Sequence, residues 1–195
     1  SMFIIPLIIV LGLVFYFVGS YNSFITIKKR ITASIQEIGN QLKRQADLIP
    51  NLVESVKGYM THEQVALDKI TQARKMVMEV VQSGNAQKMV DASSNLQQAL
   101  APLRAVFEST PELQAAGPTS KLMDELRDTA DKVMYARRTL IDLVADYNTM
   151  IATIPTNIVA SLFGFKEEAG LKVPDMEGAT TVNSEDLKTP EVKLN

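Results

Sequence analysis

Residues 42–63 read "LKRQADLIPNLVESVKGYMTHE", a stretch whose apolar residues keep helical spacing on both sides of one proline, Pro50. Proline lacks a backbone N–H and costs about 3 kcal/mol in a helix interior, but it is tolerated in a first turn. Either one kinked helix runs through Pro50, or one helix ends and another begins there. Asp47 suits the capping position of a new helix, because its carboxylate can take up first-turn N–H groups that lack partners. The spacing therefore predicts a tight hairpin at Asp47–Pro50, with a second helix from Asn51 to Ser83.

Outward from this stretch the apolar residues recur at alternating threes and fours, the signal of one buried helical face. Ile31, Ile35, Ile38 and Leu42 form the first stripe. The second runs Leu52, Val56, Tyr59, Glu63, Ala66, Ile70, Ala73, Val77 and Val80, and the third Met89, Ser93, Leu96, Leu100, Leu103 and Phe107. The fourth is Leu122, Leu126, Thr129, Val133, Ala136, Leu140, Leu143, Tyr147, Ile151 and Ile154. "QSGNAQ", "STPELQAAGPTS" and Pro155 punctuate them. The expected fold is all-α: an up-and-down four-helix bundle of long antiparallel helices over residues 23–154. On these lengths the second helix would reach back to the level of Tyr21, where the first leaves the apolar segment at the amino end.

Before the bundle, Met2 to Ile27 carries no charged side chain. Crossing a bilayer takes about 20 apolar residues, so residues 2–22 are expected to form a transmembrane anchor. A cleaved signal peptide, with Val18-Gly19-Ser20 as its cleavage site, competes, but no basic residue precedes the apolar run. Lys28, Lys29 and Arg30 follow it, and the positive-inside bias then places the bundle in the cytoplasm. After Pro155, residues 155–165 include Ile158, Val159, Leu162, Phe163 and Phe165, a short apolar segment for the membrane surface or a neighbouring subunit. A cap over the end of the bundle is the alternative. Residues 166–195 turn polar and read as a mostly flexible tail.

Composition closes several routes to chemistry. The 195 residues carry a formal charge of −2, no cysteine and one histidine. Nucleic acid is thus not an expected partner, since phosphate binding needs a dense basic surface, and thiolate sites are absent. His62-Glu63 lacks the second histidine of a zinc helix. Asp124, Glu125, Asp128 and Asp131 read as a solvated face complementing the start of the fourth helix. Glu63, a charge on a seam, is expected to meet Arg74 or Arg137 or to face outward. No catalytic, cofactor-binding or metal-ligating set emerges. Lys43, Arg44, Asp47 and Asn51 are not needed to turn or pack the chain, and they form the candidate site for a protein partner at the hairpin tip.

Tyr21-Asn22, the stretch 42–63, and Ala73-Arg74 closely resemble the LemA family of bacterial membrane proteins, whose signature reads much like "QLKRRxDLIPNLVxTVKGYxxHE". "FESTPELQA" from Phe107, "ARR" from Ala136, "DYNTMI" from Asp146 and "PTNIVASLFGF" from Pro155 resemble later parts of that family, and the terminal "PEVKL" its closing residues. Ile35 stands where members commonly carry Trp, Gly39-Asn40 replaces Asp-Val, and Leu140-Ile141 replaces an aromatic-Asn pair. The resemblance implies a membrane anchor, a helical bundle and no established enzymatic activity. The family is in turn similar to a magnetosome-membrane protein, which implies organising or shaping membranes. The expectation is a single-pass protein of the bacterial inner membrane, a self-associating scaffold contacting the lipid bilayer, without cofactors. The alternative is an adaptor recruiting a soluble partner at the Asp47–Pro50 tip.

Overall fold

In the computed structural model, which describes residues 4–60 and 64–172, the chain is helical, with no strand among the described residues. Helix α1 spans Ile4–Val56 and α2 Gln64–Ser83. Then come α3 (Ala86–Ala99), α4 (Ala101–Ser109), α5 (Pro111–Ala115), α6 (Gly117–Ala152) and α7 (Thr156–Phe163). At 53 residues, α1 is about 80 Å long.

The hairpin expected at Asp47–Pro50 does not form. Pro50 lies inside α1, its ring exposed, and the helix ends only at Val56, followed by a short 3-10 turn at Lys57–Tyr59. A proline at this position leaves the Ala46 carbonyl without its usual N–H donor four residues on. Helix α2 supplies the donor instead: Arg74 Nε donates to Ala46 O at 2.8 Å. Ala46 is fully buried, where an unpartnered carbonyl would be costly. The break that proline imposes is thus healed by a residue 28 positions away.

Leu52 and Val56, expected on the second helix, consequently finish the first and are fully buried there. Helix α2 is correspondingly short, and it runs antiparallel to α1, with Arg74 beside Ala46 and Val81 beside Gly39. It turns at Gly84, whose φ of +66° suits glycine, more than about 20 Å along α1 from Tyr21. The expected return to the membrane end of the bundle, near Tyr21, is not made by this helix. Asn85 caps α3, its side chain accepting from the Lys88 N–H at 2.9 Å. The apolar residues of the third stripe stay buried but are shared by two helices, α3 and α4, the second opening on Pro102, and Pro111 then opens α5.

Helix α6 lies antiparallel to α1 along most of its length: Arg44 pairs with Glu125, and Phe24 meets Tyr147 edge-on. Leu42, Leu52, Ile70, Val77, Leu96, Leu103, Leu126, Leu140 and Tyr147 share one continuous apolar core. The α1–α6 pair is longer than the α2–α3 hairpin, and α7 with the chain after it fills the remaining flank.

Candidate functional site

The residues that stand apart from plain core packing gather where α1 emerges from its apolar segment. That segment is long and apolar enough to cross a membrane, and its large side chains are bare, Phe15 being 76% exposed. Burial begins at Ser20 and Phe24. There five aromatic rings converge. Phe24 stacks on Phe165 at 4.6 Å and meets Tyr147 at 5.7 Å, while Tyr21 contacts Phe163 at 4.8 Å and Phe165 at 5.6 Å.

The corner that brings Phe163 and Phe165 back to α1 is built locally. Thr156 Oγ1 donates to Met150 O at 2.6 Å, tying the end of α6 to the start of α7. At the other end Gly164 takes φ +71°, so the Phe165 N–H reaches Ala160 O at 2.9 Å, a close in which glycine avoids the left-handed penalty. Val159 is fully buried, whereas Ile158, Leu162 and Phe163 are exposed. The five apolar residues expected to form one contact thus divide: Val159 and most of Phe165 dock on the bundle, Phe163 lies half-exposed against Tyr21, and Ile158 and Leu162 face outward with Ile154.

The chain after α7 is held rather than loose up to Lys172. Asn148 donates to Glu168 O and accepts from the Glu168 N–H, both at 2.9 Å. Gln87 repeats the pattern, accepting from the Lys172 N–H at 2.8 Å and donating to Lys172 O at 3.3 Å. Lys28 closes the clamp with an ion pair to Glu168 at 3.2 Å and lies 5.9 Å from the Tyr147 ring centre. Burial, foremost, and the Glu168 carboxylate push the Tyr147 hydroxyl above the ordinary tyrosine range, against the pull of Lys28. Tyr147 therefore stays neutral at physiological pH. The rest of the expected tail, residues 173–195 with the closing "PEVKL", lies outside the described residues. Replacing Asn148 and Gln87 together with alanine is expected to speed amide hydrogen exchange across residues 166–172 while shifting the bundle's unfolding by less than about 1.5 kcal/mol, because the Gln87 bonds are exposed and the Asn148 bonds only part-buried.

Lys43, Arg44, Asp47 and Asn51 line an exposed face of continuous helix, not a turn. Arg44 pairs with Glu125 at 3.5 Å, both half-exposed, a contact worth little. His62 and Glu63 lie outside the described residues, and Arg74, one expected partner of Glu63, is bonded to Ala46. In the acidic run Asp128 pairs with Lys132 at 2.7 Å and Asp124 with Arg127 at 3.9 Å. Among the described residues no three acidic or histidine side chains converge as a metal would need. A polar cleft between α3, α4 and α6 holds Arg104, Arg127, Glu108 and Asp131. Arg104 bonds Gln97, and burial, then Arg127, lowers its pKa against Glu108. Its two cations and two carboxylates balance.

A family model described as "LemA family" matches residues 34–184, most of the chain. The chain belongs to the LemA family. Among LemA-type relatives, "Protein LemA" of Metamycoplasma hominis is 25% identical over 185 residues, covering 94% of this chain and 83% of its own. "Magnetosome protein MamQ" of Magnetospirillum gryphiswaldense is 24% identical over 169 residues, covering 75% of this chain and 62% of its own length. Neither is named as an enzyme. The LemA match takes in Pro50, Arg74, Asn148 and the α7 corner, and the apolar half of α1 precedes it.

Proposed function

We propose that this LemA-family chain is a non-enzymatic, single-pass scaffold of the bacterial inner membrane, with an up-and-down four-helix bundle in the cytoplasm, which self-associates to organise or shape the membrane. The observation that carries the reading is the continuity of α1. Its bare apolar half passes into the central core helix without a linker, so a bundle on this stem is held at fixed height and orientation. Such rigidity suits a spacer or scaffold. The likeness to a magnetosome protein supports the membrane theme, and Lys28, Lys29 and Arg30 beside the span support the cytoplasmic side. Exposed Met134 and Tyr135 on α6 are apolar surface for a second copy.

Single cysteines at Lys75 and Lys132, in a chain with no native thiol, test topology. They are expected to react with a membrane-impermeant maleimide only after the cells are opened. Labelling in intact spheroplasts contradicts the cytoplasmic placement. Mass photometry of gently solubilised full-length protein is expected to find assemblies larger than one chain, and monomers alone contradict self-association.

A further inference from the structure

Resting on the anchor reading above, we propose that α7 is a second membrane element: it lies in the headgroup region of the leaflet from which α1 emerges and binds an anionic glycerophospholipid surface. Three observations place it there. Met150, near the end of α6, lines a groove with Asn22, Ser23 and Thr26 of α1, so α6 stops beside the last turn of the apolar segment. Phe163, at the far end of α7, returns to Tyr21. Both ends of α7 are thereby fixed at the level where the span meets water. Third, the helix has two faces. Val159 and Ala160 are buried on the bundle, while Ile154, Ile158 and Leu162, at successive intervals of four, are 81%, 55% and 68% exposed.

This outward row continues the bare apolar surface of α1, which makes lipid its occupant rather than a soluble peptide. Tyr21 and Phe163 between them supply the aromatic residues that favour the interface. The charge alongside has the matching sign. Lys28, Lys29, Arg30 and Lys166 outnumber the two carboxylates of the neighbouring sequence, Glu167 and the Glu168 that pairs with Lys28, and basic residues near a bilayer attract anionic headgroups.

The test uses full-length protein in vesicles of phosphatidylcholine with phosphatidylglycerol, carrying one fluorophore through Ile158→Cys, Leu162→Cys, Val10→Cys or Lys75→Cys. Iodide is expected to quench positions 158 and 162 several-fold less than position 75. Lipids with a spin label near the headgroup should quench 158 and 162 more than lipids labelled deep in the chain, and iodide protection should weaken in pure phosphatidylcholine. Iodide quenching at 158 and 162 equal to that at 75, with position 10 still protected, overturns the proposal and leaves the anchor standing. Exposure of position 10 as well overturns the anchor reading. Protection from iodide without quenching by either lipid means that another copy covers the row, and it overturns the lipid assignment. Protection unchanged in pure phosphatidylcholine overturns the anionic preference.

Discussion

Replacing Arg74 with methionine is expected to destabilise the folded chain by about 2–3 kcal/mol, the scale of losing a charge-assisted hydrogen bond to a buried carbonyl. The effect should depend on a residue in another helix. Pro50→Ala restores the backbone N–H that Ala46 O lacks, and in that background Arg74→Met should cost under about 1 kcal/mol, chiefly the packing of the arginine stem. Pro50→Ala alone should be neutral or stabilising, because a proline inside a helix is unfavourable even when its carbonyl is repaired. Denaturant unfolding of the four proteins in one detergent gives the coupling energy directly. Equal losses in both backgrounds would show that the 2.8 Å contact does not stand in for the missing N–H.

Phe24→Ala should have a larger effect, about 3–5 kcal/mol, since the ring is fully buried and large-to-small changes of this size in a core cost that much. Phe24 also forms the floor for Phe165 and the wall for Tyr147, contacts that add to area burial. The variant should therefore loosen α7 and the clamped chain after it before the rest of the bundle, visible as faster hydrogen exchange over residues 156–172. Phe15→Ala, on the bare part of the same helix, should leave the bundle's unfolding within about 0.5 kcal/mol of the parent. A Phe24 variant as stable as the Phe15 variant would mean that the aromatic cluster does not hold this end together.

What could be read from the sequence was what periodicity and breakers encode. The apolar run before Lys28, the stripe from Leu122 through Tyr147 and the turn at Gly84 all fall where spacing put them. The position of the first turn does not, because the local cost of Pro50 is offset by a distant donor, Arg74, that no local pattern encodes. Nothing near Pro50 announces that Arg74 will bond Ala46, 28 residues away; the two lie in separate stretches that resemble the LemA family. The clamp at Asn148 and Gln87 was also hidden. Each uses one amide side chain to hold one peptide group, and such a contact has no period. The outward residues Ile158 and Leu162 were found as apolar composition, whereas their separation from Val159 depends on the Gly164 close and the Thr156 corner.

Span and bundle share one axis only if α1 is one unbroken helix from the apolar segment past Pro50. Spin labels at Val14→Cys and Glu54→Cys, both exposed positions, report this in a single distance measured by pulsed electron resonance on full-length protein in nanodiscs. Forty residues of continuous helix predict a narrow distribution near about 60 Å. A peak near about 45 Å, as from a chain folded back at Pro50, or a broad spread, as from a flexible joint between span and bundle, would contradict it.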